Sequence, residues 1–112
     1  MIHLDYLKKV ANNNLGFVKE MLAIYINETP NALQTIYDYI NFEKFDVLFG
    51  AVHDLKNTIG FLGATDLFNL ITEIEVDLEG GRPKAASIRL LREAMDTVRD
   101  SMDEAVQTMK SL

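Results

Sequence analysis

From Ile88 to Met109 the chain repeats apolar residues at steps of three, four and seven: Ile88, Leu91, Met95, Val98, Met102, Val106 and Met109. At 3.6 residues per turn they share one face of a helix about six turns long. A stripe of that length is buried most simply against other long helices. No segment alternates strictly between apolar and polar residues within turn boundaries, so nothing argues for a sheet. The stripe predicts an all-α protein in which the methionines fill core space.

The rest of the chain supplies the partners. A short first helix fits Leu4, Leu7, Val10 and Ala11 and ends in "NNN", where Asn14 is placed to cap the next helix. Helix two runs from about Leu15 toward Ile40. Its first half is apolar over more than one face (Phe17, Val18, Met21, Leu22, Ile24, Tyr25, Ile26), and its second half carries Leu33, Ile36, Tyr37 and Ile40. Pro30 lies between the halves and predicts a kink, not a split, because the apolar spacing resumes at once. "NFEKFD" is the turn before helix three, which Gly63 closes. Thr65 is placed to cap helix four, with Leu67, Leu70, Ile71, Ile74 and Leu78 inward and Glu73, Asp77 and Glu79 outward. "EGGRP" ends it and puts Pro83 near the first turn of the last helix. Short connections between such helices predict an antiparallel up-and-down four-helix bundle with a short N-terminal accessory helix, residues 1–112 forming a single domain.

Composition narrows the function. The chain of 112 residues has no cysteine, which removes disulfides, thiolate metal sites and thiol nucleophiles together. With 17 acidic and 11 basic residues the net charge is -6, so no nucleic acid is expected as a partner. The longest apolar run, Met21 to Ile26, has six residues against the roughly 20 that a membrane span needs, and "MIHLDYLKKV" lacks the features of a signal peptide. A cytoplasmic protein with no membrane association is expected.

Helix three carries the informative residues. On a helical wheel Leu48, Ala51, Val52, Leu55, Ile59 and Leu62 form the core face. His53 lies roughly 140° from its centre, with Phe49, Lys56 and Gly60 on its side and Asn57 slightly beyond. An outward histidine is often plain surface. Here, however, an ammonium is expected one turn away, and Gly60 and Gly63, each costing about 1 kcal/mol in a helix interior, suggest close approach by another surface. Gly63 is also explained as a helix stop.

Other chemistries fit poorly. No second metal ligand falls at i+4 of His53, and His3 is remote in sequence, so no metal is expected. Ser87 and Ser101 lie among good helix formers without a strained turn, and no phosphate-cradling loop is present. Asp66, Glu73, Glu75, Asp77 and Glu79 read as a solvated face.

Taken together, His53, Leu55, Lys56, Gly60 and Gly63, spaced H-x-L-K-x-x-x-G-x-x-G, resemble the signature of histidine-containing phosphotransfer (HPt) domains of two-component phosphorelays. Phe45 ahead of the motif, "ETP" in helix two, "ATDLFNLITEIE" after the glycine and the long last helix extend the similarity over the whole chain. The resemblance implies a phosphocarrier and not an enzyme, with no cofactor. His53 would be phosphorylated, Lys56 would help place the phosphoryl group, and Phe49, Asn57 and Gly60 would dock the receiver. It implies response-regulator receiver domains and a sensor or hybrid histidine kinase as partners, and a monomer with the His53 face open. Asn57 departs from the pattern, since a glycine or another small residue usually follows the lysine. The alternative is a helical module that docks through Phe49 and helix two and is never phosphorylated. A third reading makes the chain one domain excised from a larger kinase, although Met1 close to the first helix fits a complete small protein.

Overall fold

The computed structural model describes residues 2–112; Met1 lies outside them. Five helices follow one another, α1 Leu4–Val10, α2 Leu15–Asn41, α3 Phe45–Phe61, α4 Thr65–Leu78 and α5 Ala85–Lys110, with no strand among the described residues. The 26-residue α5 spans about 39 Å at 1.5 Å per residue, close to the 43 Å long axis of the molecule. None of these helices is long and apolar enough to cross a membrane.

Local chemistry accounts for the boundaries. Asn12 and Asn13 take left-handed φ of 53° and 61°, which asparagine tolerates better than most residues, and this turns the chain out of α1. Asn14 then accepts a hydrogen bond from the Phe17 N–H at 3.1 Å through its side chain, the cap its position predicts. Pro30 does not divide α2, which continues through it to Asn41 with the proline ring exposed. Gly63, at φ +79°, closes α3 in a conformation that favours glycine. Thr65 is the first residue of α4 and not its cap. Ala64 holds the cap position, its carbonyl accepts from the Phe68 N–H, and no side chain caps this helix.

The stripes close on one another as their spacing predicts. α3 packs on α2 and α4, and α5 packs on the same two helices, so each long helix has two long neighbours. Val18, Leu22, Leu33 and Ile36 of α2, Leu48, Val52, Leu55 and Ile59 of α3, Ile71, Ile74 and Leu78 of α4, and Leu91, Met95 and Val98 of α5 form one buried cluster. Further along α5 the buried positions are the small residues Ser101 and Ala105, while Met102 and Met109 are only partly covered. Helix α1 is tied to this body by Leu7, fully buried, by the His3 N–H donating to the Leu62 carbonyl at 3.3 Å, and by the Tyr6 ring lying against Gly63.

Candidate functional site

The His53 side chain is 47% exposed on the outer face of α3, where the wheel places it. One turn before it, Phe49 stacks on the imidazole with ring centroids 5.7 Å apart and planes 15° from parallel. A phenyl face against one side of the ring restricts its rotation. From α4, Glu75 reaches across the helix interface and sets Oε2 3.0 Å from His53 Nδ1. Two contacts from two helices thus fix the ring, and its remaining edge stays open.

Lys56 is placed otherwise than the wheel suggests. Its side chain is only 10% exposed, with the ammonium 2.9 Å from Oε1 of the equally covered Glu75. The angles of this approach are not those of a hydrogen bond, so the contact is a charge pair and Oε1 has no directed donor. The ammonium also sits 5.0 Å from the centroid of the Phe68 ring, within cation–π range. The reason is position: Lys56 follows the buried Val52 by four residues and precedes the buried Ile59 by three, which puts it at the rim of the core stripe.

Glu75 is the site residue that reading the acidic run as a solvated face misses. It follows the buried Ile71 by four and precedes the buried Leu78 by three, the same rim position on α4 that Lys56 holds on α3. The signal was therefore in the spacing. Asp66, Glu73 and Glu79 are exposed as that reading has it, and no group of three His, Asp or Glu side chains able to hold a metal occurs among the described residues.

The close approach that Gly60 permits is made by the chain itself. A Cβ there would stand 2.9 Å from Cδ2 of Phe68, the ring over which Lys56 lies, and a Cβ at Gly63 would stand 2.8 Å from Cδ1 of Tyr6. Gly60 also lines a groove of about 390 Å³ with Asn57, Phe61, Thr65 and Phe68 and, from α1, Tyr6 and Val10. Asn57 and Gly60 stand one and two turns along α3 from His53, so the groove adjoins the imidazole on the same side of the molecule.

A comparison with protein families matches residues 20–108 to the Hpt domain. No curated protein and no solved structure matches the chain.

Proposed function

The chain belongs to the Hpt domain family, whose members serve phosphotransfer in two-component signalling, and from that premise we propose that His53 is the residue that carries the phosphoryl group. A ring nitrogen of the neutral imidazole attacks the phosphorus of an aspartyl phosphate on a receiver domain. An N–P bond forms, the acyl P–O bond breaks, and the aspartate leaves as a carboxylate; the reverse step returns the group. Such a transfer depends on alignment and charge stabilisation, not on further covalent chemistry by the carrier.

The observation that carries this reading is the half-exposed imidazole, held by Phe49 and Glu75 with one edge open to solvent and an ammonium buried beside it. Lys56 contributes positive charge close to where an anionic group would arrive. Phe49, Asn57 and Gly60 belong to the surface that meets the receiver, and the receiver or kinase supplies the catalytic groups. We read residues 1–112 as one cytoplasmic, monomeric domain in which α2 to α5 alternate in direction, the course that short connections favour.

The test is incubation with phosphorylated receiver domains and Mg²⁺, followed by detection of an acid-labile label. The protein should be labelled, the His53→Gln variant should not, and His3→Gln should be labelled normally. A cooperative melt in His53→Gln, lowered by no more than about 1 kcal/mol, the worth of the hydrogen bond to Glu75, would show that the loss is chemical. A label that survives His53→Gln places the carrier elsewhere. Binding to receivers without any label would favour the docking module.

A further inference from the structure

We propose that Gly50 is a specificity-determining residue of the transfer surface: the side chain it lacks is the one that would stand between His53 and an approaching receiver domain. The proposal rests on the phosphocarrier reading and adds to it a residue that lies before the H-x-L-K motif.

The chain has six glycines, and the fold accounts for all but this one. Gly60 and Gly63 make room for the rings of Phe68 and Tyr6. Gly63 and Gly81 take left-handed φ, and Gly80 lies in the turn beyond α4. Gly16 is in the first turn of α2, where a Cβ would come within 3.3 Å of the capping oxygen of Asn14. Gly50 has no such reason. It is an exposed residue in the interior of α3, without positive φ, and a Cβ there would meet nothing within 4 Å. Alanine would fit without a clash and would make a better helix, since only proline is costlier than glycine inside one. The protein therefore carries a loss of stability at a place where its own packing gains nothing.

The place adjoins the reactive ring. A helical side chain leans toward the N-terminus and comes to lie over the residues three and four positions before it. For His53 these are Gly50 and Phe49, and the stack of Phe49 on the imidazole shows the ring leaning that way. Glu75 covers the Nδ1 edge from α4. Phe49 and Glu75 thus bound the ring on two sides, while at position 50 the surface stays low. A partner that must bring an aspartyl phosphate into bonding distance of the ring needs its own surface close to α3, and a glycine admits that approach. A longer side chain would hold the partner off, and a misplacement of about 1 Å can slow such a reaction by about 100-fold.

Stability and transfer should then move in opposite directions, which a purely structural role does not produce. Gly50→Ala should raise the midpoint of the thermal melt by about 4 °C, and Gly50→Leu should also melt above the wild type. Acceptance from a phosphorylated receiver should slow by about threefold in Gly50→Ala and by about tenfold or more in Gly50→Leu, with affinity for that receiver falling in the same order. Labelling by phosphoramidate, a donor that brings no protein surface with it, should change much less than transfer from the receiver.

A midpoint lowered by either substitution would make the glycine a requirement of the fold. Transfer at the wild-type rate from every receiver to Gly50→Leu would show that no partner comes near position 50. An equal loss with phosphoramidate would trace the effect to the ring itself. Each of these results overturns the proposal. A wild type that takes no label from phosphoramidate or from any receiver defeats the phosphocarrier reading instead, and the ratio of receiver affinities between wild type and Gly50→Leu then decides the proposal alone.

Discussion

The α2–α5 and α3–α4 interfaces are both joined by pairs of polar side chains, but in opposite ways. Between α2 and α5, Tyr25 and Ser101 meet in the core at 2.7 Å, and the Ser101 hydroxyl donates in turn to the Val98 carbonyl at 2.6 Å. Serine has a single hydroxyl proton, so Tyr25 is the donor of the first bond. Nearer the surface Tyr37 donates to Asp96 at 2.5 Å, and burial together with that carboxylate pushes its hydroxyl up to about 12. The carboxylate itself is 47% exposed. Between α3 and α4, by contrast, Lys56 and Glu75 are both charged groups withdrawn from water, and the one group they share with solvent is the imidazole of His53. Joining two helices does not require buried charge, which carries a desolvation penalty that neutral hydroxyls largely avoid. The interface that bears this penalty is the one that borders the half-exposed imidazole of His53.

The contrast can be broken first at Lys56. Lys56→Met leaves Glu75 covered with only His53 as partner, and breaking one side of such a pair costs about 3 kcal/mol. A urea melt should show that loss, and transfer should slow because the positive charge beside His53 is gone. A melt within about 0.5 kcal/mol of the wild type would mean that the ammonium is solvated in solution.

At the α2–α5 interface the effects should be smaller and confined to stability. Ser101→Ala strands the Tyr25 hydroxyl in the core and should cost about 2 kcal/mol, whereas Tyr25→Phe leaves Ser101 bonded to Val98 and should cost about 1 kcal/mol. Phosphoryl transfer should be unchanged in both. The opposite ranking would show that the tyrosine is not the donor, and slowed transfer would show that the two interfaces are coupled.

The smallest change in stability belongs to Asn57. Glycine is only a few tenths of a kcal/mol worse than asparagine inside a helix, so Asn57→Gly should melt almost as the wild type does. The substitution also widens the groove beside His53, and poor receivers should then transfer faster. Equal rates with every receiver, in both proteins, would remove Asn57 from partner choice.

Much of this was readable in the sequence because periodicity reports burial directly. The α5 stripe, the Asn14 cap, the Gly63 stop and the outward position of His53 all follow from spacing or turn chemistry. What spacing handled poorly was the rim of each stripe. Lys56 and Glu75 occupy positions where a helix is half turned inward, and there charge argued for solvent while neighbours at three and four residues argued for burial. Either residue alone resolves that conflict toward water. Together they resolve it toward the interior, because each neutralises the other across an interface that a single helical wheel does not contain. Gly60 hid its reason similarly, since the ring that needs its space comes from α4.

That ring ties together residues which a linear motif records as separate. Gly60 gives room to Phe68, Phe68 lies under Lys56, Lys56 pairs with Glu75, and Glu75 holds His53. The glycine is thus three contacts removed from Glu75 and four from the imidazole, and each contact is within van der Waals, cation–π, ionic or hydrogen-bonding reach. Packing couples substitutions along this path: a side chain gained at position 60 needs a smaller or displaced group at 68, and such a pair alters the seat of Lys56 while every letter of H-x-L-K remains intact. Two chains that read alike across those four positions can therefore differ in how firmly the histidine is held.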